Sequence, residues 1–163
     1  MRLFSLLFLS VALLGAGGTR AAGAEPVEIV RVWSGYRTAA SFDHIGDYFR
    51  GGDKTSGEVV RRSQPAAVAG YYFLVRLRNP GAARPGARFE LEVIAPTSPT
   101  PTHYTFTADI LPGSKAIDLG LTGPDWPDEA AKAVAWQLTV RAADGSELAR
   151  QQSFLWAKPA ATR

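Results

Sequence analysis

The chain of 163 residues contains no cysteine, one methionine and two histidines. Without cysteine there is no disulfide, no thiolate-bound zinc, no cysteine nucleophile and no lipid anchored through a thiol. Methionine occurs only at Met1 and histidine only at His44 and His103, so copper binding by Met-rich or His-rich clusters is excluded as well. Long hydrophobic runs are also scarce. The one candidate, Leu3 to Leu14, falls short of the ~20 residues a membrane-spanning helix needs.

That run has another reading. Arg2 precedes it, and Ala22-Gly23-Ala24 places small residues at both positions that determine cleavage. This is the pattern of a secretory signal peptide over 1–24, leaving residues 25–163 as a single exported domain, periplasmic or extracellular, with no membrane span after cleavage. Removing Arg2 and Arg20 and no acid lowers the formal charge from +3 to +1. A nearly neutral domain offers no electrostatic case for nucleic acid.

What is present is period-two alternation. In 70–79, GYYFLVRLRN, Tyr71, Phe73, Val75 and Leu77 face one way, and Tyr72, Leu74, Arg76 and Arg78 the other. In 87–95, ARFELEVIA, Phe89, Leu91 and Val93 alternate with Arg88, Glu90 and Glu92. An antiparallel hairpin of these two strands places Val75 opposite Val93 and Leu77 opposite Leu91, with Arg76 facing Glu92 and Arg78 facing Glu90. That register gives two of the four arginines Arg61, Arg62, Arg76 and Arg78 cross-strand partners, so the four are expected to form a solvated face instead of an anion patch. Further strands are expected within 27–37, near 57–63, and at 102–110, 116–121, 134–142 and 147–156, with a bulge near 150–152. Asp144-Gly145 marks a hairpin turn. The Pro/Thr-rich stretch 95–102 reads as a stiff crossover or a proline-protected edge, and a helical turn is expected at 125–133 with Asp125 as its cap.

About eight strands with one or two short helical turns make an all-β fold, an antiparallel β-sandwich. The final hairpin, AWQLTVRAADGSELARQQSFLW, resembles a late hairpin of immunoglobulin-like or fibronectin type III-like domains. YRTAASFDHIGDYF followed by GYYFLVRL resembles small exported bacterial proteins of unknown function. The first resemblance implies an immunoglobulin-like sandwich; the second implies no activity.

SFDHIGDYF, 41–49, departs from the alternation. Ser41 suits an N-cap, Asp43 suits the first helical turn, and Phe42, Ile45 and Phe49 recur at helical spacing. The stretch is expected to be a short helix closing the sandwich, with those three residues buried. Asp43, His44 and Asp47 raise the question of a metal, with Asp53 in the RGGDK loop as a further donor. Two carboxylates fall short of the six to eight oxygens that calcium takes. Ser41, His44 and Asp43 are too crowded on one turn for a nucleophile–base–orienter line, and there is no G-x-S-x-G elbow. No catalytic, metal or cofactor site is therefore assigned.

The candidate ligand contacts are aromatic: Trp33, Tyr36, Tyr72 and Trp126, with Tyr72 the best outward candidate. The expectation is a non-enzymatic binding or structural module of the envelope or secreted fraction, with a protein or glycan partner. The alternative is a carbohydrate-binding module using exposed aromatics, and the third reading is a metal-assisted or hydrolytic enzyme.

Overall fold

Alternation becomes eight strands in the computed structural model, which describes residues 25–42 and 59–156. They are β1 (Glu28–Arg37), β2 (Val59–Arg62), β3 (Gly70–Asn79), β4 (Arg84–Ile94), β5 (Thr102–Ile110), β6 (Gly113–Thr122), β7 (Ala135–Arg141) and β8 (Glu147–Gln152). The proposed leader, 1–24, lies outside the described residues. Two four-stranded sheets form, ordered β1-β3-β6-β2 and β5-β4-β7-β8. Their inner faces share one core, so the fold is an all-β sandwich.

The inward residues are those the alternation selects. Phe73, Val75, Leu77, Leu119 and Leu121 from one sheet, and Phe89, Leu91, Leu138 and Val140 from the other, are almost wholly removed from solvent. Each contributes about 1.5–3 kcal/mol by leaving water. Five of the six strand pairings are antiparallel; β2 runs parallel to β6.

The expected hairpin of 70–79 with 87–95 does not form. β3 pairs with β1 and β6, whereas β4 pairs with β5 and β7 in the other sheet. Val75 therefore lies opposite Val32 and Ile117. Arg78 meets Glu28, at 2.9 Å from Nε and 2.5 Å from Nη2. Glu90 accepts from Arg141 Nε at 2.7 Å, and Glu92 lies 3.0 Å from His103 Nδ1. The cause sits at the end of β3. Asn79 is fully buried, and its Nδ2 donates to the Ala82 carbonyl at 2.8 Å and to the Ile110 carbonyl at 3.3 Å. Its Oδ1 accepts from the Gly81 amide at 3.2 Å. The side chain thus holds the loop in an arch that carries the chain from one sheet to the other.

Other local expectations shift. The 95–101 loop joins the adjacent strands β4 and β5, so it is a hairpin loop leading into an edge strand and not a crossover. A single 3-10 turn occupies Gly123–Asp125, with Pro124 near its start, so Asp125 ends a turn and does not cap one. Asp128 instead accepts from the Ala130 amide at 2.8 Å, a local side-chain turn that replaces the expected helix. The irregularity in β8 lies between its partners of Val140 and Arg141, at Leu148 and not at 150–152. The Asp144-Gly145 hairpin forms as expected, with Gly145 at φ 90°.

Residues 39–42 are helical. Ser41 lies inside the turn, and its hydroxyl donates back to the Thr38 carbonyl at 2.7 Å instead of capping the start. Asp43, His44, Ile45, Asp47, Phe49 and Asp53 lie outside the described residues.

Candidate binding face

The outward residues of β1-β3-β6-β2 follow directly from register. Gly35, Tyr72 and Gly120 lie side by side in one row, and Trp33, Leu74 and Asp118 in the next. Beyond them come Arg31, Arg76 and Ala116.

One end of this face is closed by its own chemistry. Gly120 leaves a hollow that the Tyr72 ring fills. A Cβ at Gly120 would lie 2.8 Å from Tyr72 Cζ and 2.9 Å from Cδ1, inside van der Waals contact. The Tyr72 hydroxyl donates to the Val68 carbonyl at 2.5 Å and accepts from Arg62 Nε at 2.9 Å. Phe42 packs on the ring with centroids 5.0 Å apart. The guanidiniums of Arg37 and Arg62 lie 5.6 and 5.4 Å from the Phe42 ring. Arg37 Nη1 pairs at 2.9 Å with Asp118 Oδ2, whose side chain is fully buried. Tyr72 does point outward, as its position in the strand requires, yet it is only 1% exposed. Its ring is unavailable to a ligand because Phe42 and two arginines cover it.

The other end is open. Trp33 is 39% exposed, with Arg31 Cζ 4.9 Å and Arg76 Cζ 5.8 Å from its ring centroid. Arg31 and Arg76 are Cα partners across β1 and β3, and both are exposed. Among the described residues neither is paired with an acid, and beside them the Glu28–Arg78 pair is already satisfied. Like charges directly opposite on neighbouring strands are unfavourable by about 0.2–1 kcal/mol. The indole offsets part of this through cation–π attraction. The guanidinium edges remain free to donate.

The remaining aromatic candidates are core residues. Trp126 is 5% exposed and stacks on Tyr71, centroids 4.6 Å apart at 28°. It covers the core, and its ring is not open to a ligand. Tyr36 is half-buried against the same core from the inner phase of β1. Of the four aromatic candidates, therefore, only Trp33 belongs to an open face. Sequence reasoning missed Arg31; the signal was its i, i+2 spacing from Trp33, which puts both on one face of a strand.

Titratable groups elsewhere have local causes for their shifts. Burial, then the charge of Asp125, raises the Tyr104 phenol. The hydrogen bond to Glu90 raises Arg141, and hydrogen bonds from the Ser146 hydroxyl and amide lower Asp144. Among the described residues no three His, Asp or Glu side chains cluster as metal ligands. A groove of about 670 Å³ lies beside the start of β1 and β8, and its charged side chains are Glu25, Glu28, Arg78 and Arg150, with Glu28 and Arg78 paired. It holds no histidine or hydroxyl nucleophile. Comparison with known protein families, curated proteins and solved structures finds no match.

Proposed function

We propose that this chain is an exported, non-enzymatic binding module of immunoglobulin-like type that meets its partner through the outer face of β1-β3-β6-β2. One observation carries the reading: Arg31 and Arg76 face each other beside an open Trp33, with no acid from the described residues paired to either. An exposed indole with two underused guanidiniums is the composition enriched at interaction hot spots. Export is supported by the apolar run Leu3–Leu14 and the small residues before Glu25. A flat platform of several rings, as neutral sugars favour, lacks support because Tyr72 and Trp126 are covered.

The test uses protein recovered from the secreted or periplasmic fraction and washed envelopes of the producing cells. Binding should be saturable, should weaken at high salt, and should fall at least tenfold when Arg31 and Arg76 are both changed to Glu. Lys132→Glu, an exposed charge outside this face, should leave it unchanged. Absence of saturable binding, or equal loss in both variants, refutes the reading.

A further inference from the structure

We infer that the Arg31–Trp33–Arg76 strip recognises an acidic polysaccharide, a sugar chain bearing carboxylates; this rests on the proposed binding face and names its ligand class. Charge comes first. Two guanidiniums sit opposite each other on neighbouring strands, and no acid from the described residues lies between them. An anion bridging both would replace their repulsion with charge-assisted hydrogen bonds, and the planar fork of arginine suits a carboxylate.

Shape comes second. The two guanidiniums lie over the indole, which is still 39% exposed, so a ring docked on its uncovered surface brings a ring substituent within reach of a guanidinium. A uronic-acid pyranose has this combination: C–H groups that pack on an aromatic face and a carboxylate at the ring edge. The strip lies on a strand at the sheet edge, since β1 is the outermost strand. A long polymer can therefore pass over it without entering a cavity. The surroundings argue against the other anionic partners. A lipid surface would favour a broad apolar patch around the indole; Leu74 lies opposite Trp33 and Val30 is exposed nearby, but the rows on the side of the arginines carry Arg31, Arg76, Glu28, Arg78 and Ser114. An acidic peptide supplies carboxylates on flexible stems but no saturated ring to lie on Trp33.

The experiment measures binding of the exported protein to polygalacturonate by calorimetry. Dextran, polyglutamate and vesicles of phosphatidylcholine with phosphatidylglycerol serve as comparators. Polygalacturonate should bind, and dextran should not. Trp33→Ala should weaken binding about tenfold or more, and Arg31→Ala with Arg76→Ala should do the same while flattening the salt dependence. Lys132→Ala should have no effect. The Trp33→Ala protein should still melt cooperatively, with a midpoint lowered only slightly by the lost contacts to Arg31 and Arg76. Polyglutamate or vesicles binding as tightly as polygalacturonate, or a Trp33→Ala variant that binds normally, overturns the inference. If polygalacturonate fails to bind while envelopes still bind through Arg31 and Arg76, this ligand class falls and the binding-face reading stands. If envelope binding also fails, both fall.

Discussion

Gly120→Ala tests the closed end of the face with a change of sign. Inside a strand, alanine normally stabilises relative to glycine by about 0.5–1 kcal/mol, because glycine gives up more backbone freedom on folding. Here the new methyl would sit 2.8 Å from Tyr72 Cζ. The ring cannot simply swing aside: its hydroxyl is held by Val68 and Arg62, and Phe42 lies on it. Overpacking of this kind costs about 1–3 kcal/mol, so the net change should be a loss of roughly 1–2 kcal/mol. Tyr72→Ala alone should cost about 3–5 kcal/mol, as for other buried aromatics. In the double variant the methyl meets no ring, so the combined loss should fall short of the sum by about 1–3 kcal/mol. Urea unfolding followed by tryptophan fluorescence reads all three, with an unchanged slope confirming that stability alone has moved. A neutral or stabilising Gly120→Ala, or strict additivity, would refute the packing of Tyr72 on Gly120.

Three further outcomes are expected. Asn79→Ala should cost about 1–3 kcal/mol by stripping the arch carbonyls of their donor, and amide exchange should quicken at Gly81 more than at the Asp144-Gly145 hairpin. Arg37→Ala should cost about 1–3 kcal/mol in urea unfolding, because it removes one of the partners of a fully buried carboxylate; no measurable loss would show that Asp118 does not depend on it. Asp144 titrates below the ordinary carboxylate range, so its contribution to stability is complete above the unfolded-state pKa and is lost as pH falls through the folded value. Carbon-detected NMR titration should show that low midpoint, and Ser146→Ala should raise it; an unmoved midpoint would remove the Ser146 hydroxyl as a cause and leave the amide.

Alternation in the sequence tells which face a side chain takes, and the inner faces of β3 and β5 were readable residue by residue for that reason. It does not tell which strand lies alongside. The pairing of Arg78 with Glu90 satisfied both faces because any two alternating strands with charged outer residues can do so. The real partner, Glu28, is 50 residues away, and the deciding residue was Asn79, a polar side chain whose burial is invisible before the arch exists. The direction of Tyr72 was legible, but its cover was not, since Arg37 and Asp118 are separated by 81 residues. Trp33 is the one of the four aromatic candidates that lies exposed on the outer face, and Arg31 was overlooked because only the register with β3 sets it opposite Arg76.

The most direct test of the proposed binding face is hydroxyl-radical footprinting of the protein with and without washed envelopes of the producing cells, read by mass spectrometry at single residues. Trp33, 39% exposed when free, should become protected, while Phe154, 78% exposed and outside the face, should oxidise at an unchanged rate. Saturable envelope binding with Trp33 still oxidised at its free rate would contradict the account.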